Sequence, residues 1–146
     1  MTESFVLIKE DYKSVYKRYI SITGSEATES NDEEIICDDM RFEDNNGWCL
    51  ITLLFGDNFA EEILVELSNG KKLLYFYCDD VQTDCEFLVV NNSNILRKKY
   101  IYFDTPELDE DEGVLQCEKE KEFIYWNDID YFIEIARNTP DKLFDI

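Results

Sequence analysis

Apolar residues recur along this chain in two rhythms, one suited to helices and the other to strands. At Tyr12, Val15, Tyr16 and Tyr19 the spacing is i, i+3, i+4, i+7, with Lys13, Lys17 and Arg18 on the other side; this predicts an amphipathic helix. Asp11 can cap its start, and Gly24 lies beyond its end. A second helix is predicted from about Phe59 to Leu67. Its apolar face is Phe59, Ile63 and Leu67, widened by Ala60 and Leu64, while Glu61, Glu62 and Glu66 point outward. Asn58 followed by Glu61 reads as a capping box, and Asn69-Gly70 as the stop. The third helix covers about Asp128–Arg137, with Ile129, Phe132, Ile133 and Ala136 on one face. Asn127 is its expected cap, Asp128 and Asp130 sit where the helix dipole favours anions, Arg137 sits where it favours cations, and Pro140 closes it.

Between these helices lie strand candidates. Trp48–Phe55 is an apolar run between Gly47 and Gly56. Lys71–Cys78 and Cys85–Val90 are rich in aromatic and β-branched residues and are separated by the polar stretch Asp79–Asp84. Asn91-Asn92-Ser93-Asn94 reads as a turn, leading to a strand over Ile95–Phe103. Neither face of that strand is cleanly apolar. Leu96, Tyr100 and Tyr102 share theirs with Lys98, and Ile95, Ile101 and Phe103 share theirs with Arg97 and Lys99, so the pattern does not say which side meets the core. Further strands are expected around Val114–Cys117 and Phe123–Trp126, and loops over 25–34 and 104–113. A contiguous antiparallel meander of about four to six strands, with about three helices outside it, makes an α+β fold. At 146 residues the chain reads as one α+β domain, 1–146, with acidic loops near 25–47 and 104–122.

Composition supplies the core: 45% of residues are hydrophobic, and a chain of this size buries roughly 68–70% of its unfolded surface. The formal net charge is −20, and two segments carry most of it. Residues 25–47 hold nine Asp/Glu against Arg41, and residues 104–122 hold nine against Lys119 and Lys121, whereas 71–103 comes out at +1. Of the 21 aromatic residues only Phe42 lies in either acidic segment. Such a distribution disfavours binding to nucleic acid or anionic membrane, since affinity for phosphates rests on clustered Lys and Arg. It suits capture of something basic.

Histidine is absent, which removes the commonest general base and the usual activator of Ser or Cys nucleophiles. Pairs such as Asp38-Asp39 and Asp79-Asp80 read as solvated loop carboxylates, because a working dyad needs burial that shifts one pKa. The run Asp109–Gly113 resembles a calcium loop only superficially: with Asp109 as the first position, Gly113 falls fifth where the loop requires glycine sixth. No metal or cofactor is expected. The five cysteines, Cys37, Cys49, Cys78, Cys85 and Cys117, are odd in number and lack C-x-x-C spacing. They read as reduced, mostly buried thiols of a cytoplasmic protein. Met1–Lys9 does not read as a signal peptide, and no apolar run approaches the ~18 residues of a membrane span.

The expected partner-binding residues are Glu107, Asp109, Glu110, Asp111 and Glu112, held at the end of the Ile95–Phe103 strand, followed by Asp79, Asp80 and Asp84 of the neighbouring turn. Aromatics such as Tyr75, Tyr77, Tyr100, Tyr102, Tyr125 and Trp126 are core by default, yet one or two beside the acidic turns give an interface a desolvated centre. The succession Leu73-Leu74-Tyr75-Phe76-Tyr77-Cys78-Asp79-Asp80, Leu96-Arg97-Lys98-Lys99-Tyr100, Glu107–Gly113 and Trp126-Asn127-Asp128-Ile129 resembles the small acidic immunity proteins of bacterial polymorphic-toxin and contact-dependent growth inhibition systems. The resemblance spans roughly residues 48–137 and is one of layout. It implies a cytoplasmic, non-catalytic antidote that covers the active site or substrate groove of one toxin domain, often a basic nuclease. Competing expectations are a nucleic-acid mimic that occupies DNA-binding proteins, an acidic adaptor or scaffold, and, last, an enzyme working with carboxylates alone.

Overall fold

The computed structural model describes residues 2–27 and 29–146. It is α+β, built on one antiparallel sheet of nine strands: β1 Thr2–Ile8, β2 Glu29–Ser30, β3 Glu34–Cys37, β4 Met40–Asn45, β5 Trp48–Leu53, β6 Lys72–Asp79, β7 Asp84–Asn91, β8 Asn94–Ile101 and β9 Glu110–Glu112. Their spatial order is β2-β3-β4-β5-β1-β6-β7-β8-β9. The expected meander is present as β6–β7–β8, but the strand count exceeds four to six. The first strand, β1, lies in mid-sheet between β5 and β6.

Three helices follow the predicted faces: α1 Tyr12–Thr23, α2 Glu61–Leu67 and α3 Ile129–Asn138. Helix α1 is capped as expected, Asp11 accepting from the Ser14 N–H and Gly24 adopting φ +75°. The Asn58–Glu61 capping box does not form. Helix α2 begins later, after Ala60, and the Phe59 N–H donates instead to the Tyr75 hydroxyl at 2.9 Å. Asn127 is not the cap of α3. It sits in a 3-10 turn, Trp126–Asp128, and the Asp128 carboxylate accepts from the Ile124 and Tyr125 N–H groups.

The sheet is covered on both faces. Val6, Ile8, Phe42, Ile51, Tyr75 and Leu88 pack beneath α1 and α2. Phe5, Leu7, Phe76, Phe87 and Val89 pack against α3 and the turns around it, where Phe76, Phe87, Phe123 and Phe132 form a continuous aromatic stack. The strands expected at 114–117 and 123–126 are absent. A 3-10 turn, Gln116–Lys119, carries buried Leu115 and Cys117 to the sheet instead, and Phe123 reaches it from irregular chain.

Both acidic segments differ from the loops expected of them. Residues 29–45 form β2, β3 and β4, with Ile35, Cys37, Met40 and Phe42 inside and Arg41 and Glu43 outside. Alternation of this kind buries one face and solvates the other. Residues 110–112 are the edge strand β9, paired with Lys98, Lys99 and Tyr100 of β8.

Strand β8 is equivocal in sequence because it buries cations on both faces. Arg97 is held by Glu118 at 2.6 Å and by Asp111 at 2.5 Å. Lys98 is held by Glu61 of α2 at 2.7 Å and by Glu110 at 3.3 Å. All five cysteines are buried and free, and burial pushes the Cys78 thiol up to about 11. Among the described residues no helix is long and apolar enough to cross a membrane.

Candidate interaction surface

Strand register decides which turns share an end of the sheet. Cys37 opposes Met40, Met40 opposes Leu53, and Thr52 opposes Phe5. Beyond β1, Thr2 opposes Asp79, Asp79 opposes Asp84, and Cys85 opposes Ile101. The Asp38-Asp39 turn, the connection 54–60, the 80–83 turn and the chain after Ile101 therefore all emerge at the same end. No Lys or Arg occurs between residues 42 and 70, 73 and 96, or 100 and 118, so nearly all of these connections are purely acidic.

The β6–β7 turn and the segment 102–109 are tied together through their carboxylates. Asp79 caps its own turn, accepting from the Val81 N–H at 3.0 Å. Asp84 accepts from the Phe103 N–H at 2.9 Å, and Asp109 accepts from the Tyr102 N–H at 2.8 Å. These bonds use backbone donors, and among the described residues no Lys or Arg pairs with these three carboxylates. Asp80, Asp104 and Glu107 stand exposed beside them. The structure thus brings together Asp79, Asp80, Asp84, Glu107 and Asp109 of the sequence-predicted set.

The rest of that set is placed differently. Asp111 is paired with Arg97 and, at 2.9 Å, with Lys99. Burial works against its charge, but the bonds from Lys99 and Arg97 more than reverse this and hold its carboxyl below the ordinary range. Glu110 is paired with Lys98, and the Glu112 carbonyl accepts from Arg97 at 3.0 Å. These three residues fasten β9 to β8. Gly113 completes the fastening: at φ +77° it lies so close to β8 that a Cβ there would stand 2.0 Å from the Leu96 carbonyl oxygen. Glu86, the third residue of β7 from this end, is buried and accepts from the Tyr75 hydroxyl at 2.7 Å and from the Tyr102 hydroxyl, so it adds nothing to the acidic surface.

Sequence reasoning missed the apolar part of this end. Val81 is 83% exposed, Phe103 72% and Leu108 59%, and Leu54 and Phe55 are exposed on the β5 side. A visible signal existed, since Val81 follows Asp80 and Leu108 lies between Glu107 and Asp109; an apolar residue inside an acidic turn has no local reason to be there. Apolar side chains set among carboxylates at one sheet end reproduce the anatomy of a protein interface, with a desolvating centre and a charged rim. Among the described residues, no group of three or more His, Cys, Asp or Glu is arranged to hold a metal ion.

Compared with protein-family models, with curated proteins and with solved structures, the chain matches none.

Proposed function

We propose that this chain is a non-catalytic binding protein whose acidic sheet end seats on a basic surface of another protein. The observation that carries the reading is the coincidence, at one end of the sheet, of exposed Val81, Phe103 and Leu108 with the exposed Asp80, Asp104 and Glu107 and with Asp79, Asp84 and Asp109, whose carboxylates accept from backbone N–H groups. Charge steers association and the apolar centre slows departure. The resemblance noted in the sequence extends the proposal: the partner is a cognate toxin domain, a basic nuclease whose phosphate-holding groove this surface covers, and the two meet in the cytoplasm. A nucleic-acid mimic is the weaker reading. Its carboxylates run in a continuous array, whereas these occupy separate turns interleaved with apolar side chains.

The test starts from the gene neighbourhood. The partner is the basic C-terminal domain of a large secreted protein encoded beside this chain, and co-expression should restore growth to cells making that domain. Asp104→Lys combined with Glu107→Lys leaves the β9 fastening untouched. It should slow association by about tenfold or more at low salt and flatten its salt dependence. An unchanged on-rate removes the interface from this end, and a chain that binds many unrelated DNA-binding proteins equally well is a mimic.

A further inference from the structure

On the β5 side of the same sheet end lies a cavity of about 230 Å³, between the Asp38-Asp39 turn, the connection 54–60 and α2. Its walls are mixed: Tyr19, Phe55 and Phe59 supply aromatic surface, and the Tyr19 and Phe59 rings meet edge to face at 6.4 Å. Asp38, Asp39 and Asp57 also line it. The site is braced from several directions. Tyr19 and Ser25 donate to the Asp38 carboxylate at 2.7 and 2.5 Å, the Leu54 N–H donates to the Asp39 carbonyl at 3.0 Å, and the Ser4 hydroxyl donates to the Asp57 carbonyl at 2.6 Å. Every one of these donors is neutral. Among the described residues no Lys or Arg pairs with Asp38, Asp39 or Asp57, and Arg41, the nearest cation in sequence, is engaged by Glu34 and Glu43.

A recess that sets three aromatic rings among three carboxylates without a cationic partner selects a side chain with an apolar stem and a cationic tip. Arginine fits best, because its planar guanidinium both stacks on ring faces and forks onto carboxylates. We infer that this cavity receives an arginine side chain from the basic protein that the chain captures. The inference rests on that functional reading and names the partner residue it uses. Phe55, 73% exposed at the mouth, closes over the guanidinium, and Asp39 and Asp57 take its charge.

The experiment is a ¹H–¹⁵N titration of the full chain with acetyl-Gly-Arg-Gly-amide and with the same peptide carrying citrulline, which keeps the shape and removes the charge. The arginine peptide should give saturable shifts at residues 38, 39, 55 and 57, and the citrulline peptide should bind about tenfold more weakly or worse. Asp39→Asn with Asp57→Asn should abolish the difference. Both changes are isosteric, and asparagine tolerates the φ of +59° at position 39. Equal binding of the two peptides, shifts spread evenly over 79–84 and 102–109, or no shifts at millimolar peptide would overturn the inference. A chain that still neutralises its toxin while giving one of those results keeps the proposed function and loses the arginine pocket. Arginine-selective binding without any basic partner does the reverse.

Discussion

Residues 29–45 and 103–114 are equally acidic to the eye, yet they are fastened to the protein by opposite means. The first segment contributes Ile35, Cys37, Met40 and Phe42 to the core and turns its carboxylates outward. The second contributes nothing to the core: every residue from Phe103 to Val114 is exposed. A short ladder to β8 and the pairs of Asp111 and Glu110 with Arg97, Lys98 and Lys99 hold it in place. Burial of a single aromatic ring outweighs several exposed ion pairs. The first segment therefore shares the stability of the whole fold, while the second can come loose alone. Arg97 and Lys98 suit such a strap, because each also has a partner in the body, Glu118 and Glu61, and stays paired when β9 lifts.

The sharpest way to break this contrast is Phe42→Ala. Phe42 is fully buried, with the Tyr16 and Tyr19 rings at 5.9 and 5.5 Å, and its truncation should cost about 3–5 kcal/mol in denaturant unfolding. A loss under about 1 kcal/mol would make β2–β4 an appendage as well. Gly113→Ala comes next. The new methyl group meets the Leu96 carbonyl, so β9 should lose its amide-exchange protection while global stability falls by no more than about 1–2 kcal/mol. A full-sized drop in stability would show that the strap is part of the core unit.

Acidification gives the mildest probe. Because the folded carboxyl of Asp111 is held low, its contribution is complete above the unfolded value of about 3.9 and is lost as pH falls through the lower folded one. The ¹³C shift of the Asp111 carboxyl should therefore stay constant from pH 7 to 5 and change only below about 4. At neutral pH, Asp111→Asn should cost under about 1 kcal/mol, since its carboxylate is more than half exposed. A transition near pH 6 would mean that Asp111 is not what holds the strap.

What could be read from the sequence was local. The three helices were legible because an apolar face repeating over several turns needs no knowledge of its neighbours. Strand β1 was not, because a continuous run such as Phe5–Ile8, buried on both faces, shows neither rhythm. The alternation of Ile35, Cys37, Met40 and Phe42 was masked by the carboxylates between them. Strand β8 hid its orientation because Arg97 and Lys98 count as polar yet lie inside, paired. The acidity of the candidate surface was legible, but its assembly was not. Only strand register sets Asp84 beside Phe103, and only β8 shows that Asp111 is already spoken for.

One edge of the sheet is β9, whose far side pairs with no other strand among the described residues. An open strand edge invites a second copy of itself, and fibrils grow from such invitations. Here the terminal strand reads Glu-Asp-Glu, so two copies meeting edge to edge would press like charge on like charge. Self-pairing through this edge is thus opposed at neutral pH.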